Sequence, residues 1–368
     1  MWTDLMPIAG LVIGFLLFYR YPILSGNYTK LEPEKISIII PVRNEEENLA
    51  LLLEDLKNQN APLFEVICVD DNSEDGTAKV AESFAELLNV KLISVHDKPD
   101  DWTGKSWACQ VGANKARGKL LLFLDADVRL QPDAFGTLIK NYQIDNCALS
   151  VQPYHEAKNI YEQLSLFFNL ILIAANGVGV FFSFKNIGLF GPVILIDKES
   201  YNAIGGHFSV RDSIVDDLAL GENMVMNNLK YKLFLGGDVI TFRMYRSGIN
   251  QLIQGWTKNF ATGAGKTPFY LMAMVILWIG TCIYAAYNLT LSSINLNLPE
   301  MAVYLLLYLI IVFQIGRAAV QVGSFTRMTI LLYPLPLTFF LFLFLLSLYK
   351  KMFRHNATWK GRKVYLRR

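Results

Sequence analysis

The sequence predicts an α/β protein with a doubly wound, mostly parallel sheet, joined to helices that cross a membrane. Two observations support this fold class. Between residues 35 and 125, short β-branched runs alternate with helical periodicity, and strands that alternate with helices are typical of a parallel sheet. Hydrophobic residues make up 53% of the 368 residues and charged residues 18%, which is too apolar for an ordinary soluble protein.

The predicted strands are short apolar runs, and a helical pattern follows most of them. Strands are expected at 36–40, 65–69, 91–95 and 120–124, and helices at 46–58, 77–88 and 106–116. Pro41 is predicted to end the first strand, because proline lacks a backbone N–H. In such folds ligands bind at the carboxyl ends of the strands, so the loops after these strands are the expected location of a functional site.

Apolar segments near both ends of the chain predict membrane helices. They lie at 7–24, 269–287, 301–316 and 328–349. Each approaches the roughly 20 residues that a helix needs to cross a bilayer. Lys30 and Lys35 follow the first segment, so we expect a retained anchor with the next domain in the cytosol. Pro334 and Pro336 interrupt the last segment, which therefore crosses, re-enters or lies along the interface.

The predicted organisation is a membrane anchor at 1–30, a cytosolic domain at 31–262, membrane segments at 263–350 and a basic tail at 351–368. Three C-terminal crossings would place the tail outside, against the tendency of positive flanks to stay inside, so two to three are expected. We expect the basic tail to bind anionic lipid headgroups, and we expect no nucleic-acid partner. Cysteines without a CxxC pair indicate a reduced environment.

Four acidic signatures stand in order along the chain. They are Glu45, Asp70–Asp71, Asp125–Asp127 and Asp216–Asp217. The third closes the apolar run Leu120–Leu124, and a buried strand that delivers two carboxylates at its carboxyl end suits a hard divalent cation held against a diphosphate. This pattern indicates an enzyme that acts on a nucleotide-sugar and uses Mg²⁺ or Mn²⁺.

One more apolar segment, at 161–184, is not expected to cross the membrane. A crossing there would place Asp127 and Asp216 on opposite sides of the bilayer. We expect an interfacial helix beside the active site or an ordinary buried helix. In the first case the side chains available to touch lipid would be Phe167, Phe168, Leu170 and Ile171.

Several of these motifs together resemble glycosyltransferase family 2. They are Pro41–Glu46, Val69–Ser73 with Asp75–Thr77, and Asp125–Asp127. Further segments along nearly the whole chain resemble bacterial members of that family that act on carotenoid acids. These are Leu149–His155, Phe190–Pro192, Gly205–His207, Phe242–Tyr245, Gly255–Lys258 and Trp359–Arg362.

The resemblance implies the GT-A fold of nucleotide-diphospho-sugar transferases, with inversion at the anomeric carbon. It implies a membrane-bound enzyme of staphyloxanthin-type carotenoid biosynthesis, with a UDP-sugar donor and a lipid acceptor. Glucose would pass from UDP-glucose to the carboxylate of a carotenoid acid, 4,4'-diaponeurosporenoate. Transferases for hopanoids or other glycolipids, and polysaccharide synthases, are the alternatives.

The candidate donor-binding residues are Pro41, Glu45, Asp71, Lys105 and Asp125. Glu45 can accept hydrogen bonds from ribose hydroxyls and Asp71 from the uracil imide, although acids here also suit a helix start or a turn. Lys105 precedes a helix and can neutralise a diphosphate together with the helix amides, or it is a surface lysine.

The candidate metal ligands are Asp127 and Asp125. Asp127 is expected to bind the cation directly, while Asp125 reaches the sugar, the ribose or a metal-bound water from the same strand end. The cation would neutralise charge on the departing UDP.

Asp216 and Asp217 are the candidate catalytic residues. They stand where the family usually has Glu-Asp, and the second acid of that pair serves as base, so Asp217 is the expected base. Adjacent carboxylates repel, which raises one pKa; a pair of acids at a helix N-terminus is the alternative. A carboxylate acceptor needs little deprotonation, and the pair would then mainly position it.

The candidate acceptor residues are His207 and Trp256. His207 either approaches the acceptor or is a packed, hydrogen-bonded histidine. Trp256 resembles the tryptophan of the family's QxxRW signature, but Leu252 and Gly255 replace its glutamine and arginine, which argues against processive polymer synthesis. Trp256 lines the acceptor site or anchors the chain at the membrane interface.

Overall fold

The computed structural model describes residues 2–26, 35–181, 188–353, 356–359 and 362–365. The chain divides into two units. The sheet unit consists of residues 23–155, 188–244 and 356–368, and the helical unit consists of residues 1–22, 156–187 and 245–355. Each unit is therefore assembled from separated stretches of the chain. The domain boundaries expected at residues 30, 262 and 350 concern the membrane and stay predictions. Lys30 and part of the basic tail lie outside the described residues.

The secondary structure alternates through the first half of the chain and becomes helical in the second. The helices are α1 (Trp2–Leu17), α2 (Glu46–Lys57), α3 (Thr77–Ser83), α4 (Ala85–Leu88), α5 (Gly104–Lys115), α6 (Ala134–Asp145), α7 (Leu166–Ala175), α8 (Lys198–Ala203), α9 (Asp216–Met226), α10 (Ile249–Ala264), α11 (Phe269–Ile294), α12 (Leu298–Val322), α13 (Arg327–Leu331) and α14 (Pro334–Phe353). The strands are β1 (Ile36–Val42), β2 (Glu65–Asp70), β3 (Val90–Ser94), β4 (Leu120–Leu124), β5 (Val128–Leu130), β6 (Ala148–Gln152), β7 (Tyr154–His155), β8 (Val193–Asp197), β9 (Tyr231–Leu235), β10 (Ile240–Phe242), β11 (Asn356–Trp359) and β12 (Arg362–Tyr365). Short 3₁₀ helices occupy Ile160–Ser165 and Gly206–Val210.

The sheet unit is built on a seven-stranded sheet with the order β3-β2-β1-β4-β8-β6-β9. Strands β3, β2, β1 and β4 are parallel to one another. Strand β8 is antiparallel to both of its neighbours, and β9 is parallel to β6. A smaller sheet has the order β5-β10-β7. The predicted α/β class with a mostly parallel sheet is confirmed.

Both faces of the central strands are covered, which explains their near-continuous apolar runs. On one face Ile38 and Ile40 belong to the same core as Leu49 of α2. On the other face α5 lies directly against the sheet, since a Cβ built on Gly112 would lie 2.5 Å from Ile39 Cγ2. The first turn of α5 is thereby held near the carboxyl ends of the strands.

The end of the first strand and the extent of the helix expected at 77–88 were predicted wrongly. Strand β1 continues through Pro41 to Val42. The pairing of β1 with β4 stops at Ile39. Proline is therefore tolerated at position 41, because the strand needs no backbone N–H donor on that side. The helix expected at 77–88 is broken into α3 and α4 at Phe84, which takes φ −99° and ψ 2° and packs against the core.

Within the described part of the chain, three helices of the helical unit are long and apolar enough to cross a membrane. These are α11, α12 and α14, with 26, 25 and 20 residues. Pro334 and Pro336 lie in the first turn of α14, where proline removes no intrahelical hydrogen bond, so they start this helix rather than interrupt it. The prediction of two to three such C-terminal helices is confirmed, and these helices indicate membrane association.

Helix α1 is too short to cross a bilayer by itself. Its 16 residues extend about 24 Å at 1.5 Å per residue, compared with a hydrocarbon core of about 30 Å. The N-terminal anchor therefore stays a prediction.

Two glycines in α1 allow it to pack closely against its neighbours. A Cβ on Gly10 would lie 1.8 Å from Thr281 Oγ1, and a Cβ on Gly14 would lie 2.6 Å from Gln314 Oε1. Gln314 Nε2 also donates a hydrogen bond of 2.7 Å to the Leu11 carbonyl. Small residues four positions apart and interhelical hydrogen bonds are the usual means of helix association in membranes.

The apolar segment at 161–184 contains α7, which is a buried helix. Phe167, Phe168 and Leu170 are fully buried, and α7 packs among α11, α12 and α14. The lipid contact expected of these side chains and of Ile171, which is also buried, was therefore wrong; the alternative of a buried helix is confirmed. Residues 182–184 lie outside the described part of the chain.

We expect Gly10→Ala to destabilise the helical unit by about 1–3 kcal/mol, because the added methyl group overlaps the buried Thr281 side chain. Thermal unfolding of the full chain in detergent measures the effect. Gly280→Ala on α11 is the matched control, since its Cβ would have Met6 Cε as nearest neighbour at 3.6 Å. Equal melting temperatures for the two variants would contradict this packing.

Candidate active site

The loops that follow β1 and β2 are bound to each other. Arg43 Nη1 donates hydrogen bonds to the carbonyl oxygens of Asp71 at 2.6 Å and Asn72 at 3.0 Å. The Asn44 N–H donates to Ser73 Oγ at 2.9 Å. Asn44 and Asn72 take φ values of 50° and 53°, a region that asparagine tolerates better than most residues. These contacts fix the position of Asp71 before any ligand arrives.

Asp71 also lies against the start of α5. Its side chain is buried, and a Cβ on Gly104 would lie 2.3 Å from Asp71 Oδ2. Thr103 caps α5 by accepting a hydrogen bond from the Ser106 N–H at 3.2 Å, so the helix begins two residues earlier than predicted. The position of Asp71 thus depends on a glycine at the first helical residue.

Glu45 is half-buried just before α2. Its N–H donates to Thr77 Oγ1 at 2.8 Å, and its carboxylate accepts a hydrogen bond from the Asn48 amide at 2.7 Å. The residue therefore belongs to the same pair of bound loops as Asp71.

A small cavity lies at the carboxyl end of β4. It is lined by Pro41, Lys105, Cys109, Phe123, Asp125, Gly191, Ile194, His207, Asp216, Asp217 and Leu220. Six candidate residues are brought together here: Pro41, Lys105, Asp125, His207, Asp216 and Asp217. The other four, Glu45, Asp71, Asp127 and Trp256, are not among its lining residues.

Lys105 forms an ion pair within this cavity. Its Nζ lies 2.6 Å from Asp125 Oδ1. Burial by itself lowers the pKa of the Lys105 ammonium, but the carboxylates of Asp125 and Asp216 outweigh it and raise that pKa above its usual value. Lys105 is therefore charged and paired with Asp125 while its side chain stays partly exposed, and its contact with the donor stays a prediction.

Asp216 and Asp217 form the first turn of α9. Asp217 Oδ1 accepts a hydrogen bond of 2.9 Å from the Leu218 N–H, and a Cβ on Gly191 would lie 2.9 Å from Asp217 Oδ2. Burial, and secondly the charge of Asp216, raise the pKa of Asp217 to about 6. This value lies close to neutral pH, where general acid–base catalysis is most efficient.

His207 is a packed, hydrogen-bonded histidine that also lines the cavity. It is 2% exposed, and its Nδ1 lies 2.8 Å from the Tyr201 hydroxyl. Its Nε2 lies 3.9 Å from Asp216 Oδ2. Burial lowers the pKa of His207 to about 4 in spite of the Asp216 charge, so the ring is neutral at pH 7.

Trp256 lies in the helical unit. Its indole Nε1–H donates to Ser165 Oγ at 3.1 Å, and its ring stacks on Phe168 with 4.5 Å between centroids. The side chain is thus part of an aromatic cluster, and a contact with an acceptor stays a prediction.

Sequence reasoning gave no role to the glycines that shape the cavity. A Cβ on Gly221 would lie 2.4 Å from Gly188 Cα, so α9 and the segment before β8 touch through their backbones. This contact places Gly191 against Asp217. The motif Phe190–Pro192 was the available signal, but it carried no information about which element it would meet.

The carboxylates of Asp125 and Asp127 fit a cation that arrives with its substrate. In the part of the chain that the structure describes, no three His, Cys, Asp or Glu side chains form a metal-binding group. Mg²⁺ is usually bound by one or two protein carboxylates together with substrate phosphates. Asp125 follows β4 directly and Asp127, two residues further on, is half-buried, which matches that donor set.

Comparison with known proteins agrees with this geometry. Residues 37–216 match the family model "Glycosyl transferase family 2", and curated relatives are 37% identical over 361 residues, which is 95% of this chain and 93% of theirs. The chain therefore belongs to glycosyltransferase family 2 and is an enzyme. Those relatives are the 4,4'-diaponeurosporenoate glycosyltransferases of Staphylococcus aureus strains USA300 and N315.

A solved structure supports the fold. The mannosyltransferase PcManGT from Pyrobaculum calidifontis, in complex with GDP-Man and Mn²⁺, matches with a TM-score of 0.52 and 17% sequence identity. The match covers 86% of this chain and 94% of that protein. The sheet unit thus has a GT-A-like fold, as the resemblance implied.

We expect Lys105→Met to reduce glycosyl transfer roughly ten- to hundredfold, since it removes a charge-assisted contact worth about 1.5–3 kcal/mol and leaves Asp125 unpaired. Initial rates of nucleotide release measure the loss. Lys115→Met, which changes an exposed lysine on the same helix, is the control. Full activity in Lys105→Met would show that the ion pair is dispensable.

Proposed function

We propose that this enzyme transfers glucose from UDP-glucose to the carboxylate of a carotenoid acid, 4,4'-diaponeurosporenoate, with inversion at the anomeric carbon. The observation that carries the proposal is the 37% identity to the S. aureus transferases over 95% of this chain. That range includes both the sheet unit and the helical unit, so the likeness extends beyond the nucleotide-binding region.

The donor would extend from the cavity towards the bound pair of loops. Asp71 would accept from the uracil imide and Glu45 from the ribose, while Pro41 forms part of the cavity wall. Lys105 and the N-terminal amides of α5 would face the diphosphate, because a helix N-terminus favours anions. The support for this arrangement is that Asp71 already touches the first residue of α5.

Asp127, with Asp125 beside it, would hold Mg²⁺ or Mn²⁺ against the diphosphate. When bound, the metal supplies neutralisation of the charge that builds up on the leaving UDP. Transfer itself forms a bond between an acceptor oxygen and C1 of glucose, while the bond from C1 to the UDP oxygen breaks and its electron pair leaves with UDP. Asp216 and Asp217 would contact the acceptor.

We place the enzyme in the cell membrane of a bacterium, as a multi-pass protein with its sheet unit in the cytoplasm. The three apolar helices and the lipid acceptor of the relatives support this location. The free cysteines Cys68, Cys109, Cys147 and Cys282 are consistent with a reducing compartment.

A lipid hydroxyl is the second candidate acceptor. The pKa of Asp217, raised to about 6 by burial and by Asp216, suits a base that removes a proton from a hydroxyl group. Hopanoids and other glycolipid precursors would belong to this class.

The decisive experiment is to incubate membranes that contain the full chain with labelled UDP-glucose and 4,4'-diaponeurosporenoate, and to identify the labelled lipid by mass spectrometry. We expect a single glucosyl ester. Label in a hydroxyl-bearing lipid would replace the proposed acceptor, and label in a polymer would favour a polysaccharide synthase.

We expect Asp127→Asn, or an excess of chelator, to reduce transfer at least about a hundredfold, because metal stabilisation of the leaving group is worth several kcal/mol. Added Mn²⁺ or Mg²⁺ should restore the chelated enzyme but not the variant. Asp238→Asn, at an exposed position, is the control. Unchanged rates in chelator would refute a role for the metal.

A further inference from the structure

The acid pair of α9 brings two carboxyl groups into the cavity, where the charge of Lys105 acts on both at longer range. The Lys105 ammonium is already paired with Asp125 at 2.6 Å. Among the described residues, the basic side chain within 4 Å of these two acids is His207, whose Nε2 lies 3.9 Å from Asp216 Oδ2. His207 is neutral at pH 7, because burial lowers its pKa to about 4. An acceptor carboxylate would therefore meet two negative groups.

Asp216 has two side-chain contacts in the cavity. His207 Nε2 lies 3.9 Å from Asp216 Oδ2, and Ser106 Oγ lies 3.5 Å from the same oxygen. Tyr201 holds the His207 ring in place, because its hydroxyl lies 2.8 Å from His207 Nδ1 and accepts from the His207 backbone N–H at 3.0 Å.

Among the residues that the structure describes, no side chain donates a comparable hydrogen bond to Asp217. Its Oδ1 accepts from the Leu218 N–H, and its Oδ2 lies against Gly191. The titratable groups that line the cavity around it are Lys105, Cys109, Asp125, His207 and Asp216. Burial, then Asp216, already raise the pKa of Asp217 to about 6, and another carboxylate nearby would raise it further.

We infer that Asp217 carries a proton when the acceptor carboxylate is bound, and that this proton joins the two carboxyl groups in one hydrogen bond. The inference rests on the proposed function, since it requires an acid as acceptor. One proton turns the repulsion between two carboxylates into an O–H···O⁻ hydrogen bond, which is among the stronger hydrogen bonds in proteins. Asp217 then holds the acceptor instead of deprotonating it.

Glucosyl transfer to a carboxylate needs no general base. The acceptor oxygen that is not hydrogen-bonded to Asp217 attacks C1 of glucose, and the bond from C1 to UDP breaks with its electron pair leaving on UDP. The proton stays on Asp217, where it donates to the carbonyl oxygen of the new ester. The acceptor carboxylate has no proton to release at neutral pH.

The test is the pH dependence of the acceptor KM for the full chain in detergent, with saturating UDP-glucose and 4,4'-diaponeurosporenoate as the varied substrate. Free Asp217 loses its proton as pH rises through about 6, whereas the complex keeps it. At pH values between the pKa of Asp217 in the free enzyme and its higher pKa in the acceptor complex, the acceptor KM should rise by up to about tenfold per pH unit. The KM for UDP-glucose should not follow this course.

Substitutions at Asp217 separate holding the acceptor from removing a proton. Asp217→Asn keeps a hydrogen-bond donor that cannot titrate, so its acceptor KM should be independent of pH and its kcat should fall only mildly. Asp217→Ala loses the donor, so its acceptor KM should be high at every pH. UDP binding shows that each variant is folded, and Asp212→Asn, an exposed acid nearby, should keep the parent profile.

Two results overturn the inference, and they are distinguishable. If the glucosyl ester forms with an acceptor KM that does not change with pH, Asp217 holds no proton but the proposed function stands. If the carotenoid acid is not glucosylated while a lipid alcohol is, the proposed acceptor is wrong and the inference falls with it. In that case the rate should rise with pH through about 6 and Asp217→Asn should be severely impaired, because the ionised form of Asp217 is then the base.

Discussion

The ion pair between Lys105 and Asp125 is the contact on which the arrangement of the site depends. It joins the first turn of α5 to the carboxyl end of β4 at 2.6 Å. The Asp125 N–H also donates to the Pro192 carbonyl at 2.9 Å, so the segment that leads into β8 is held at the same point. Because the ion pair of Lys105 is with Asp125, its charge acts on the acids of α9 only at longer range.

Much of this site could be predicted from the sequence because its parts are local. Leu120–Leu124 followed by Asp125 and Asp127 predicted a buried strand with acids at its carboxyl end, and β4 has those bounds. The contacts between distant segments could not be predicted, since no local pattern shows that Gly191 meets Asp217. The pairing of Lys105 with Asp125 was missed for the same reason. Glycine contacts are especially hard to predict, because the relevant feature is the side chain that is absent.

The helical unit shows a different limit. Apolar side chains of α7 were expected at a lipid surface, but Phe168 stacks on Trp256 inside the unit. Hydropathy cannot distinguish a side chain that faces lipid from one that faces another apolar helix. Polar side chains inside this unit form specific hydrogen bonds. Gln314 donates to the Leu11 carbonyl, and the Trp256 indole N–H donates to Ser165.

The order of the strands has a consequence for biosynthesis. Strand β8 pairs with β4 on one side and β6 on the other, yet residues 156–187 of the helical unit separate it from β6 along the chain. A ribosome that has released only the first 155 residues has supplied a sheet with a gap at its centre, because β4 and β6 do not pair directly. The nascent sheet cannot be completed until β8 has been synthesised. No single cut in the chain would separate the whole sheet unit from the helical unit.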